Sequence, residues 1–365
     1  MGRWGRSLTI LGGALTVLVA IGASDTSRAA PAAAPVLGTA GGAFTVDGRP
    51  RFLLLVSYFD ALRAPDATLD ADFAYLRRHG LDGVRIFPNW WRCAAERQCG
   101  GHPGDDTLFE AGTGRIRPER LERLRRVLDL AGRSGLVVDL SFSRETVLAG
   151  PTGAALPAAA YAEGVATTLR ALGRGYPHVM VDLQNELDQN RVFAPGALED
   201  AQAVARLARR VASGRRLVFA SSNEAEIELA AYCGTKARCP AAARPFDVLA
   251  VHDAREADWH DRTPAVVRRL RTLAARRGDK PIYLQEPFAW QDERAPDRLE
   301  RFLDAAARAR RAGAAAWTFH TRSAFILRDG PPLTARLDSD QRALLERIRA
   351  RVDASVAAKR RAPAK

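Results

Sequence analysis

Two apolar runs, Val179-Met-Val-Asp-Leu-Gln-Asn-Glu186 and Lys280-Pro-Ile-Tyr-Leu-Gln-Glu286, each finish on a glutamate. One carboxylic acid can protonate a leaving oxygen while a second carboxylate, about 5–5.5 Å away, attacks the carbon it departs from. Such a pair splits a glycosidic bond with retained configuration, and both groups must then reach one place from two different strand ends. In a parallel β/α barrel they do so at the C-terminal face. A single strand-end Glu is more simply an exposed surface acid. Two of them, with Asn185 directly before the first, point to a site.

The elements that would carry them alternate along the chain. Asp47-Gly48 between short apolar runs predicts a hairpin within Ala43 to Phe52. Eight strand-like runs follow, at Phe52–Tyr58, Gly83–Phe87, Leu136–Phe142, Val179–Glu186, Leu217–Ser222, Val248–His252, Pro281–Glu286 and Ala314–Phe319. Helical periodicity lies between them, as in Leu121, Leu124, Val127, Leu128 and Ala131 behind Pro118. Strands this continuously apolar are expected where helices cover a parallel sheet. The expectation is an α/β fold, a (β/α)8 TIM barrel whose N-terminal β-hairpin closes the bottom. An open doubly wound sheet is the alternative, and no Gly-rich phosphate turn follows the first strand.

Strand ends then supply Arg85, Ser141, Asn185 and Glu186, Asn223, His252, Glu286 and Trp317. This constellation resembles the clan A glycoside hydrolases, and within them family 5, the cellulase and mannanase family, from about Phe44 to Trp317. The resemblance implies that Glu186 is the general acid/base and Glu286 the nucleophile. It implies that Asn185 binds the sugar 2-hydroxyl, Arg85 holds the nucleophile ionised, His252 lines the same subsite and Trp317 lies beneath the sugar ring. The chain departs from the family pattern at Ser141, where relatives carry histidine, at Ala254, where they carry an aromatic, and at Pro287.

Apolar sugar faces stack on aromatic rings, so Trp90, Trp91, Trp259, Trp290 and Trp317 are candidate subsite walls, with ordinary packing as the alternative for each. Asn223 and Trp290 join the candidate substrate-binding set. His79 and His178 fall in apparent turns and read as solvated, and His320 either faces the cleft or caps the rim. No phosphate loop, no His-Glu-x-x-His zinc motif and no Gly-x-Ser-x-Gly elbow occurs. Two carboxylates need no cofactor and no metal for this chemistry.

Arg3 and Arg6 before the apolar run Leu8 to Ala23, with Ser27-Arg28-Ala29 behind it, read as a secretory signal over 1–29, with an uncleaved anchor as the alternative. A flexible leader over 30–42, a catalytic domain over 43–354 and a basic disordered tail over 355–365 complete the expected plan. Cys93-x5-Cys99 and Cys233-x5-Cys239 suggest two local disulfides in an exported protein. A four-cysteine zinc site is the rival, but its pairs are usually closer.

Formal net charge is +13, and all but four of the 55 basic residues are arginine. The arginines fall mostly on polar helix faces, the usual place for solvated charge, so a nucleic-acid partner is not expected. The sequence thus predicts a secreted or periplasmic single barrel, a monomer that takes a carbohydrate, without stable membrane insertion after signal cleavage. The rivals are a carbohydrate-binding barrel without turnover, a transglycosylase on the same scaffold, and an arginine-based binder of anionic polymers.

Overall fold

The computed structural model describes residues 1, 33–89, 107–110, 112–143, 148–149, 154–187, 197–211, 216–222, 246–252, 256–275, 278–327 and 331–361. The expected signal, all four cysteines, Trp90, Trp91 and Asn223 lie outside the described residues, apart from Met1.

Eight parallel strands form the centre: β1 (Leu53–Ser57), β2 (Gly83–Ile86), β3 (Val137–Ser141), β4 (Val179–Asp182), β5 (Val218–Phe219 and Ser221–Ser222), β6 (Leu249–His252), β7 (Ile282–Glu286) and β8 (Ala316–Phe319). Neighbours pair in chain order, and β8 pairs back onto β1 through Ala316 opposite Leu53. The two halves of β5, separated only by Ala220, pair with β4 and β6 respectively. The sheet therefore closes into a barrel, as expected. At Gly83 a Cβ would lie 2.3 Å from the Val137 carbonyl oxygen, so the β2–β3 contact requires glycine there.

Helices α1 (Asp66–Arg78), α2 (Pro118–Arg133), α3 (Ala158–Leu172), α4 (Ala197–Val211), α5 (Trp259–Ala275), α6 (Arg298–Ala312) and α7 (Ser339–Arg361) accompany the strands. Their buried apolar residues, such as Leu69, Phe73 and Leu76 of α1, recur at helical spacing and pack into one core with the strands. None of the described helices is long and apolar enough to cross a membrane.

The hairpin forms at Ala43–Val46 and Arg49–Arg51, with Asp47 and Gly48 at φ of 52° and 75°, the left-handed pair that a tight two-residue turn needs. Phe44 is fully buried and meets the ring of Tyr283 edge-on at 6.4 Å, while Arg51 pairs with Asp82 just before β2. The hairpin thus sits under the N-terminal ends of the strands.

Three expectations need correction. The leader expected to run to residue 42 contains a strand, Leu37–Ala40, antiparallel to Ala43–Val46, because Gly41-Gly42 supplies a turn with positive φ. The boundary expected at 354 falls inside α7, which continues to Arg361 because this alanine- and arginine-rich stretch consists of good helix formers. His178 is buried rather than solvated, its Nε2 lying 3.0 Å from the carbonyl oxygen of Leu128, and burial lowers its basicity.

Candidate active site

Side chains alternate across each strand. The set facing the barrel axis is polar near the C-terminal end: Ser57, Arg85, Asp139, Ser141, Asp182, Ser221, His252, Gln285 and Thr318 are all buried. Strand β4 ends at Asp182, four residues before Glu186, which stands in the following turn with φ of 52°. A non-glycine residue in that region is held there by its surroundings. Asn185 N–H donates to the Phe142 carbonyl (2.8 Å), and Glu186 N–H donates to Ser221 Oγ (3.2 Å). Glu286 ends β7 as expected. The β6–β7 register shifts between Val251 and His252, so that Val251 is opposite Leu284 but His252 is opposite Glu286. That bulge turns both Gln285 and Glu286 toward the axis.

Arg85 organises the centre. Its Nη1 donates to Glu286 Oε1, its Nη2 to Asn185 Oδ1 (2.6 Å) and its Nε to Ser141 Oγ (2.9 Å). Ser141 in turn donates to Asp139 Oδ1 (3.0 Å). Arg85 also lies 3.7 Å from both Asp139 and Asp182. The guanidinium carbon lies 5.2 and 4.9 Å from the ring centres of Phe59 and Phe87, which with Phe325 form a small aromatic cluster apart from the main core.

Two histidines flank the second glutamate. His252 Nδ1 is 3.2 Å from Glu186 Oε1, and its Nε2 is 3.8 Å from Glu286 Oε1. His320 Nε2 is 3.5 Å from Glu286 Oε2, while its Nδ1 is 2.9 Å from Ser57 Oγ. His320 therefore faces the cleft, one of the two alternatives the sequence left open. An oxygen of Glu186, a nitrogen of His252 and an oxygen of Glu286 all lie within 4.8 Å of one another.

Burial would push the Glu286 carboxyl up, but His252, His320 and Arg85 outweigh it and hold the group well below the usual carboxylate range. Burial also pushes Glu186 up. The hydrogen bond and charge of His252 more than offset this and leave it below its ordinary value. His252 moves the opposite way: burial lowers it, but Glu286 and the bond to Glu186 raise it further. Glu186 retains 23% side-chain exposure against 7% for Glu286, so Glu286 lies deeper.

Among the described residues, Trp259, Trp290 and Trp317 are not where a sugar could use them. Trp317 is fully buried with its ring edge-on to Phe302 of α6, because Thr318 and His320 occupy the inward face of β8 and leave Trp317 facing the helices. Trp290 is also in the core, with Nε1 donating to Asp338 (3.2 Å) and Arg298 stacked 4.5 Å from its ring centre. Trp259 stacks on Phe288 at 4.9 Å and donates to Glu293 (2.8 Å). Trp317 and Trp290 are thus removed from the candidate substrate-binding set. The structure brings together Arg85, Asn185, Glu186, His252 and Glu286. It adds Ser57, Gln285 and His320, which the period of two puts on the inward side, and the ring cluster of Phe59, Phe87 and Phe325.

No protein-family model matches the chain, and no curated protein matches it in sequence. Solved structures do match in fold. A glycoside hydrolase family 5 enzyme from Prevotella bryantii aligns with a TM-score of 0.54 at 13% identity, covering 83% of this chain and 96% of its own. The endo-1,4-β-mannanase of Rhizomucor miehei aligns with a TM-score of 0.56 at 12% identity, covering 88% and 99%. A subfamily 18 member of family 5 from Streptomyces cattleya, solved with GlcNAc, aligns with a TM-score of 0.52 at 17% identity, covering 86% and 82%. The fold is a (β/α)8 barrel like that of these family 5 enzymes, and the resemblance read from the sequence holds at the level of fold.

Proposed function

We propose that the chain is an exported retaining glycoside hydrolase that cleaves β-glycosidic bonds of an oligo- or polysaccharide by double displacement. The observation that carries this reading is the approach of the two glutamates, with oxygens within 4.8 Å across the mouth. That separation suits an acid and a nucleophile, whereas a base that activates water from the far side needs carboxyls roughly 6.5–9.5 Å apart.

In the first step a Glu286 oxygen bonds to the anomeric carbon as the glycosidic C–O bond breaks and Glu186 delivers a proton to the leaving oxygen. In the second, Glu186 takes a proton from water, the water oxygen bonds to the anomeric carbon, and Glu286 leaves as carboxylate. Arg85 and the two histidines keep Glu286 ionised and ready to attack. In this reading Asn185, whose carbonyl accepts from Arg85, donates its amide N–H to the sugar 2-hydroxyl. The names of the fold neighbours, a mannanase and family 5 enzymes among them, support a β-glycan as substrate. The apolar leader and the paired cysteine spacings support export, with Cys93–Cys99 and Cys233–Cys239 as the disulfides.

A screen of aryl β-glycosides and β-glycans with wild type and Glu286→Ala tests the reading. Turnover is expected only in wild type, and added azide should give an inverted glycosyl azide with the variant. In Glu186→Ala, azide should restore turnover with retained configuration. Unchanged activity in either variant would remove the assignment.

A further inference from the structure

Gln285 bridges the cleft and the polar floor of the barrel. Its Nε2 donates to Asp139 Oδ2 (2.7 Å) and Asp182 Oδ2 (3.1 Å), and its Oε1 is 2.8 Å from His252 Nε2. The orientation of the amide follows from its partners, since ionised carboxylates only accept hydrogen bonds. The NH2 end must face the aspartates, which leaves the carbonyl facing His252. An amide carbonyl only accepts, so His252 Nε2 carries hydrogen whether the ring is neutral or cationic. What remains variable is one proton between His252 Nδ1 and Glu186 Oε1, 3.2 Å apart.

We infer that Gln285, held by Asp139 and Asp182, is a positioning residue that fixes the tautomer of His252 and thereby makes Glu186 and His252 share a single proton. The catalytic consequence rests on the glycosidase reading given above. The charged groups around the ring are Glu186, Glu286, Arg85 and, beyond Gln285, Asp139 and Asp182.

In the resting site the shared proton lies on Nδ1, with Glu186 as carboxylate. When Glu286 bonds to the anomeric carbon its negative charge is consumed, and the ring loses one of the two anions holding that proton. The Nδ1–H bond breaks, the proton passes to Glu186 Oε1, and Glu186 gives a proton to the departing oxygen. Neutral His252 and anionic Glu186 then both face the cleft as acceptors, ready for the proton released by the attacking water. Without Gln285 the ring could take the other tautomer, in which Nδ1–H of a neutral ring stays committed and the reserve proton is lost.

The tautomer can be read directly by nitrogen NMR of the full chain labelled with ¹⁵N-histidine, with His252→Gln identifying the signals. At the alkaline end of its titration His252 should be the Nε2–H tautomer, with Nδ1 bare. In Gln285→Leu, kcat/KM for a methyl β-glycoside, whose leaving group needs a proton, should fall roughly 10- to 100-fold. The 2,4-dinitrophenyl β-glycoside of the same sugar, which leaves without one, should change by no more than about threefold. A Nδ1–H tautomer in wild type would overturn the inference, as would equal losses on the two substrates in a folded variant. Should the variant fail to fold, the wild-type NMR result decides. Should wild type cleave no β-glycoside, the functional reading fails, and the NMR result still decides the role of Gln285 in setting the tautomer.

Discussion

Glu286 is a carboxylate sunk below the barrel rim and kept anionic by positive charge on three sides. Of its partners, His320 was the least legible in the sequence, because its position after Trp317-Thr-Phe suited a rim residue as well as a cleft residue. The period of two settles it: Thr318 faces the axis, and so must His320. Since His320 helps to lower Glu286, His320→Asn should raise the Glu286 pKa. In the proposed mechanism Glu286 is active as the anion, so the acid limb of kcat/KM should move to higher pH while KM for a neutral glycoside changes little. A pH–rate series on both proteins checks this, and an unmoved acid limb would assign His320 to packing. Glu186, Glu286, Arg85, Asn185 and His252 were legible because each interrupts or ends an apolar run. Asp139, Asp182 and Gln285 sit inside such runs and read as strand continuation. Only closing the barrel shows them converging.

At the level of elements, the strands were placed within a few residues, because buried parallel strands are short apolar runs bounded by polar turns. The fourth strand is shorter than the run to Glu186. Leu183-Gln-Asn-Glu186 turns away after Asp182, whose carboxylate accepts the backbone N–H groups of Gln184 and Ser221. Trp317 and Trp290 were misplaced for a different reason. Aromatic character fits a sugar platform and a strand–helix interface equally well, and only the facing of the strand decides between them. Trp290→Ala should therefore cost about 3–5 kcal/mol of stability, the usual range for emptying a core aromatic site. KM for a β-glycoside should stay within about twofold of wild type, since roughly 1.4 kcal/mol is needed for a tenfold change. Denaturant unfolding and steady-state kinetics on one preparation check both, and a raised KM with intact stability would restore Trp290 to the substrate.

Across the whole molecule, barrel closure brings four buried ionisable groups, Arg85, Asp139, Asp182 and Glu286, into one network, and this makes stability depend on pH in two opposed ways. Burial pushes Asp139 up to about 6 from 3.8. Burial pushes Asp182 up as well, and the two carboxyls share the Gln285 amide, so the pair holds the proton between them. Between those values the folded chain binds a proton that the unfolded chain has released, so this contribution is present below about pH 4 and is lost as pH rises to about 6. Glu286 runs the other way: its contribution is present above its ordinary value of 4.5 and is lost as pH falls below it. Urea midpoints measured at several pH values should decline in wild type between about pH 4 and 6 and lose that decline in Asp139→Asn, and an identical decline in both would place that proton elsewhere. In the proposed reading, glutamates from two separate strands of the barrel form one acid–nucleophile pair. Treating the protein with a 2-deoxy-2-fluoro-β-glycosyl fluoride of a sugar it cleaves, and mapping the product by peptide mass spectrometry, tests that pairing. One fluoroglycosyl group on the peptide containing Glu286, absent after Glu286→Ala, is the predicted result. Normal turnover with no covalent adduct, or an adduct on Glu186, would contradict it.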